Sequence, residues 1–168
     1  MARGGSGSAR WFWLSLAIVI ADRATKAAIE AYTQENYHRV IVPGVVNLVH
    51  SHNPGIAFGL LAEIDSKWLT LLLIASSAAV IGLLSWLMAT ERAGGRRGQA
   101  GLALILGGAA GNLIDRVLRG SVTDFFEVRL GSYHWPAFNV ADSAITIGAA
   151  LVVLELLLGR QHPTEKKV

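Results

Sequence analysis

The sequence predicts an all-α membrane protein with four transmembrane helices and a small extracytoplasmic β-rich cap. Three observations carry that expectation. The 168 residues are 52% hydrophobic and 16% charged, against about 25% charged in soluble domains. That is too little polar surface for a water-soluble fold of this size, and the mean hydropathy is +0.44. Four stretches approach the roughly 20 mostly apolar residues that a helix needs to cross a bilayer. Lys and Arg also divide unevenly among the segments between those stretches, as the positive-inside rule describes.

The first span, 11–31, is uncharged as far as Ala21 and then carries Asp22, Arg23, Lys26 and Glu30. Arg3 and Arg10 precede it, as in a cleavable signal peptide. The run Ala21-Asp22-Arg23-Ala24 lacks the small-x-small cleavage pattern, so a retained helix is expected. The second span, 68–89, has no charge, and the third, 100–118, is uncharged to Ile114 and then meets Asp115 and Arg116. The fourth, 137–158, has Asp142 near its start and Glu155 near its end. Residues 32–67 and 119–136 form the outer segments. Within the first of them, residues 39–52 look strand-like, with Val40-Ile41-Val42 and Val45-Val46 on either side of a Pro43-Gly44 turn. The lead with Gly4, Gly5, Ser6, Gly7 and Ser8, and the tail after Arg160, are expected to be disordered. No repeat or heptad interrupts this plan, and residues 1–168 read as one integral membrane domain.

With the N-terminus inside, Arg3, Arg10, Arg92, Arg96, Arg97, Arg160, Lys166 and Lys167 are cytoplasmic, eight basic residues against four (Arg39, Lys67, Arg119, Arg129) in the much longer outer segments. Both termini are therefore expected in the cytoplasm. The net charge of +3 forms no stripe, so nucleic acid is not an expected partner. With no Cys in the chain, thiol nucleophiles, disulfides and thiolate metal sites are excluded.

This topology places every Asp (22, 65, 115, 124 and 142) in or beyond the outer half of the membrane. Charge in hydrocarbon is costly, so such residues are paired, water-facing or functional. Asp124, in Val122-Thr123-Asp124-Phe125-Phe126, is a carboxylate among apolar residues, where desolvation raises a pKa. Asp142 follows Asn139 by three residues near a helix start, where the macrodipole favours the anion. Two carboxylates in opposed environments form the arrangement of an aspartic protease dyad around a water. The other reading is that each caps a helix or pairs with Arg116 or Arg129. Asp22 and Lys26 stand four apart, acid first, the spacing of a buried pair tying the first helix to the bundle. Asp115, Arg116 and Asn112 suggest an orienting network.

The remaining features point to structure. Gly107, Gly108 and Gly111 read as small-residue contacts between spans. Asn53-Pro54-Gly55-Ile56-Ala57-Phe58 reads as a turn. His50 and His52 have no matching third ligand, so no metal and no cofactor are expected. Glu155 is expected to snorkel or meet water. Trp11, Trp13, Trp68, Trp86 and Trp135 fall where an interfacial aromatic belt would lie.

Five motifs in order resemble the bacterial lipoprotein signal peptidases (signal peptidase II), over nearly the whole chain from Asp22 to Ser143. They are Asp22-x-x-Thr25-Lys26, the Asn53 to Phe58 turn, Gly107 through Asn112 to Asp115-Arg116, Val122-Thr123-Asp124-Phe125, and Phe138-Asn139-Val140-Ala141-Asp142-Ser143. Pro54 stands where the family often has Thr, and Thr123 where it often has Val or Ile. The resemblance implies a metal-free aspartic endopeptidase of the bacterial inner membrane, acting as a monomer. Its substrate would be a prolipoprotein carrying a diacylglyceryl-Cys, cut immediately before that residue at the outer leaflet. The resemblance maps the dyad onto Asp124 and Asp142. It gives Asn53, Gly55, Asn112, Arg116 and Asn139 pocket-shaping or substrate-holding roles, while Asp22, Lys26 and Asp115 remain structural or orienting. A proton-coupled transporter is the alternative, but its acids would lie near the midplane with repeat symmetry. A scaffold that uses polar residues as helix glue is a second alternative.

Overall fold

The computed structural model describes residues 8–55, 66–90 and 94–159. The glycine-rich lead, the tail after Arg160, Asp65, Arg92 and the Ile56-Ala57-Phe58 half of the turn motif lie outside the described residues. The elements run α1 (Ala9–Tyr32), β1 (His38–Val42), β2 (Val46–Asn53), α2 (Ser66–Ala89), α3 (Arg96–Arg119), β3 (Val122–Leu130), β4 (Tyr133–Phe138) and α4 (Val140–Gly159). The protein is thus mostly helical with one small sheet. Among the described residues three helices are long and apolar enough to cross a membrane: Lys67–Ala89, Arg96–Arg119 and Val140–Leu158. At 24 residues, α1 is about 36 Å long by the rise of an α-helix, but its charges at Asp22, Arg23 and Lys26 lie inside the helix, whereas those of Arg96–Arg119 gather near its two ends.

Helix α3 is the axis, packed against α1, α2 and α4. Its first half meets them through an apolar cluster of Leu84, Met88, Leu102, Ala103 and Leu106, flanked by Trp11, Leu14 and Val152. Close approach to α4 depends on paired glycines. A Cβ on Gly101 would sit 2.7 Å from the Gly148 carbonyl oxygen, and one on Gly148 would sit 2.6 Å from that of Gly101. On the side facing α1, a Cβ on Gly111 would sit 2.6 Å from Asp22 Oδ2. The glycines of α3 are therefore contact points between helices, as their spacing suggests.

Helix α1 is inverted relative to a soluble helix. Its buried residues are Ser15, Asp22 and Lys26, while Trp13, Leu16 and Ile20 are exposed. Leu71, Leu72 and Leu83 of α2 and Ile147, Leu156 and Leu157 of α4 are likewise exposed. Apolar surface outside and polar groups inside is the arrangement that hydrocarbon solvent favours.

The two segments between helices join in one antiparallel sheet of order β1-β2-β3-β4. Strands β1 and β2 form the hairpin expected of residues 39–52. The hairpin of β3 and β4 was not legible as strands, because Pro136 and a polar-apolar mixture blur its alternation. Pairing of Ser51 with Asp124 and of Asn53 with Val122 carries β3 beneath the end of β2. Glu127 binds the sheet crosswise, accepting from Asn47 of β2 at 2.6 Å and lying 2.5 Å from His134 Nε2 of β4. The last span begins later than expected. Ala137 and Phe138 complete β4, and Asn139 then caps α4. The third helix begins earlier, at Arg96, and stops at Gly120, whose φ of +77° forms a left-handed cap.

Candidate active site

The N-terminus of α4 gathers the acids. Asn139 Oδ1 accepts the Asp142 backbone N–H at 2.9 Å, and Asp142 Oδ2 accepts the Asn139 N–H at 3.3 Å. This reciprocal capping box satisfies two otherwise orphaned donors. Asp22 reaches over from α1 and accepts the Ala141 N–H at 2.9 Å. Asp142 is therefore fixed in the first turn of the helix by the same bonds that begin it.

Asp124 is brought alongside by β3 and is almost fully buried. Its Oδ1 accepts Asn139 Nδ2 at 2.7 Å, and its Oδ2 accepts Asn53 Nδ2 at 3.1 Å. Asn112, on α3, donates Nδ2 to Asp142 Oδ1 at 2.8 Å. Each of the four carboxylate oxygens thus receives one N–H. Asn139 touches both acids, a bridge across the pair. Burial pushes the Asp124 carboxyl up to about 7 and the nearby Asp142 charge adds to the rise, against hydrogen bonds from Asn53 and Asn139 and the charge of Lys26. Near neutral pH Asp124 can therefore hold or release a proton.

Behind the acids lies a buried charge cluster. Lys26 is fully buried, forms ion pairs with Asp22 Oδ2 and Asp115 Oδ2, each at 2.8 Å, and donates to Asn112 Oδ1 at 2.9 Å. Arg23 closes the cluster on Asp115. Two cations and two carboxylates are thus paired, three of them fully buried and Arg23 partly exposed, and the pairing is what makes buried charge tolerable there.

Arg116 stands apart from that cluster. It is within electrostatic reach of Asp142, Asp124 and Asp115, and its buried Nε has no hydrogen-bond partner among the described residues. It lines an open cleft of about 620 Å³ with Pro54, Leu71, Gly120 and Ser121. On the other side Asp142 borders an apolar cavity of about 280 Å³ shared with Tyr133, Trp135, Phe138 and Ile147. Gly55, at φ +99°, donates its N–H to Asn53 Oδ1 at 2.8 Å and so sets the asparagine's aim.

The other residues singled out in the sequence also find partners here. Arg129 bonds Glu127, so it does not neutralise the acids. Glu155, expected to snorkel or meet water, is partly exposed and also accepts the Gly95 N–H at 2.6 Å at the start of α3. His50 Nδ1 lies 3.0 Å from Thr33 Oγ1, and no group of three metal-type ligands forms among the described residues. Glu30 went unread: it bonds Arg119 of α3 and accepts the Thr123 hydroxyl at 2.8 Å, next to Asp124. The signal was present, since Asp22, Lys26 and Glu30 repeat every four residues along one face of α1.

Residues 14–158 match the family described as Signal peptidase (SPase) II. The chain belongs to the signal peptidase II family. It is 42% identical, over 153 residues, to the lipoprotein signal peptidase of Solibacter usitatus (strain Ellin6076), covering 88% of this chain and 92% of that one. To the lipoprotein signal peptidase of Vibrio campbellii (strain ATCC BAA-1116) it is 39% identical over 147 residues, 87% of each chain. A bacterial membrane enzyme solved by the in meso method at 2.3 Å resolution superposes with a TM-score of 0.82 at 28% identity, covering 95% of this chain and 94% of that one. A second, at 1.9 Å resolution, gives 0.77 at 26% identity, covering 94% and 98%. Membership makes this chain a membrane-embedded peptidase of bacterial type. It also sets aside the transporter and scaffold readings.

Proposed function

We propose that this signal peptidase II removes the signal peptide from diacylglyceryl-modified prolipoproteins, cutting before the lipidated Cys with Asp124 and Asp142 as an aspartic dyad. The observation that carries the reading is the convergence of two carboxylates from β3 and α4, bridged by one asparagine, between an apolar cavity and a cleft lined by Arg116. Asp142, at a helix N-terminus, takes a proton from the attacking water as hydroxide oxygen bonds to the scissile carbonyl carbon. Asp124, entering protonated, donates its proton to the carbonyl oxygen, giving a gem-diol. On collapse the C–N bond breaks, Asp142 returns its proton to the leaving nitrogen, and a diol proton goes back to Asp124. Arg116 lines the cleft and would offer a guanidinium N–H to a substrate carbonyl, and Asn53, Gly55, Asn112 and Asn139 shape the pocket. The reading takes the enzyme as a monomer that acts without a metal or cofactor.

The reading includes a topology. Helix α1 is the fourth span, both termini are cytoplasmic, and the sheet caps the outer face of the inner membrane. A signal peptide with its basic end inside would then present its cleavage site at the acids. A single Cys at exposed Val45 should react with an impermeant maleimide added outside spheroplasts, whereas one at exposed Arg97 should not. The opposite pattern would refute this orientation.

The pH dependence follows from Asp124. The acid form is required, so kcat/KM should fall about tenfold per pH unit above 7. Asn53 stabilises the anion of Asp124. Asn53→Ala should therefore move that alkaline limb to higher pH, measured on a lipidated prolipoprotein peptide. A limb that stays in place or moves down would show that another group titrates.

A further inference from the structure

The three asparagines that meet the acids share one construction. A side-chain amide donates from one end and accepts at the other, so a partner that pins one end decides what the other offers. Asn53 Oδ1 is pinned by the Gly55 backbone N–H and Asn139 Oδ1 by that of Asp142, and both pins can only donate. For Asn112 the corresponding pin is the ammonium of Lys26, at 2.9 Å. That ammonium has three N–H donors and no acceptor, and its three polar partners are Asp22, Asp115 and Asn112. Asn139 Nδ2 also touches Asn112 Oδ1, at 3.3 Å, but its closer bond, at 2.7 Å, goes to Asp124.

We propose that Lys26 is a positioning residue for the reaction, holding the Asn112 amide in the one orientation that presents N–H, and never carbonyl oxygen, to Asp142. The proposal rests on the dyad reading above. Its consequence falls in the second half of the reaction. Once Asp142 has taken the proton of water, a freely turning Asn112 could accept that new O–H through Oδ1 and hold the proton in place. With Oδ1 occupied by Lys26, Asp142 finds no acceptor at Asn112, and its proton remains available to the leaving nitrogen. A buried ion-pair cluster that only stabilised the fold would have no such effect on turnover.

A double-mutant cycle tests this, with kcat and KM measured on a diacylglyceryl-Cys prolipoprotein peptide by purified wild type, Lys26→Met, Asn112→Ala and the double variant. Folded protein in each is quantified by thermal unfolding. Lys26→Met should lower kcat per folded molecule about 10–100-fold, the rate equivalent of one charge-assisted hydrogen bond, with KM within about twofold. On the Asn112→Ala background the same substitution should change kcat by less than about twofold, because the group it acts through is gone. If Lys26→Met is too unstable, Lys26→Met/Asp22→Asn replaces it, with Asp22→Asn as its control, since Arg23 still pairs with Asp115. Unchanged kcat per folded molecule, or equal losses on both backgrounds, would overturn the proposal. Failure of the dyad itself shows separately, as turnover by Asp142→Asn.

Discussion

Replacing either Asp124 or Asp142 by Asn is expected to lower kcat about 10⁴-fold in a protein that still folds. That is the upper end of what general acid–base catalysis contributes, and it is expected because in the proposed reaction each carboxyl transfers a proton in both halves. Asn preserves the volume of the side chain and an acceptor oxygen for Asn53, Asn112 or Asn139 but cannot exchange a proton. The double variant should be little worse than either single one, since the two residues act as a unit. KM should change much less than kcat, because the apolar cavity and the Arg116 cleft are left intact. Steady-state kinetics on a lipidated peptide measure both. Multiplicative losses would mean that the acids act separately.

The second large effect concerns stability. Asp115 is fully buried and is the shared partner of Lys26 and Arg23. Asp115→Ala leaves Lys26 with one carboxylate, Asp22, and takes from Arg23 the carboxylate it bonds. Breaking such a cluster by removing one member costs about 3–5 kcal/mol, mostly the penalty of the uncompensated charge. A thermal melt in detergent micelles should therefore shift strongly downward, and the folded yield should drop. Restoring balance should recover much of the loss, so Arg23→Gln/Asp115→Ala should melt above Asp115→Ala alone. A melt that stays near the wild-type value would mean that water reaches these charges.

Much of this arrangement is legible in the sequence because bilayer and backbone impose short-range rules. Span lengths, the Asp22–Lys26 spacing, the small residues of α3 and the Asn139–Asp142 pair are local patterns with local physical causes. The β1–β2 hairpin is legible for the same reason, through its alternation around Pro43-Gly44. The pairing of β2 with β3, which sets Asp124 opposite Ser51, joins segments some 70 residues apart and leaves no periodic trace. The bonds of Glu30 to Arg119 and Thr123, and of Glu155 to the Gly95 N–H, are equally non-local. Even the four-residue repeat that includes Glu30 says which face of α1 it occupies but not which helix it meets. Boundary shifts at α3 and α4 have a simpler origin. Polar residues such as Arg96 and Gln99 extend a helix beyond its apolar window, whereas apolar Ala137 and Phe138 are taken up by a strand.

The most direct test of the dyad is the product of a single reaction. Purified wild type, Asp124→Asn and Asp142→Asn are incubated with a prolipoprotein peptide bearing diacylglyceryl-Cys, with and without a chelator, and the fragments are weighed by mass spectrometry. The account predicts one cut, on the N-terminal side of the lipidated Cys, made by the wild type equally with and without chelator and by neither folded Asn variant. Cleavage at that bond by folded Asp142→Asn or Asp124→Asn, or chelator inhibition that added metal reverses, would contradict it.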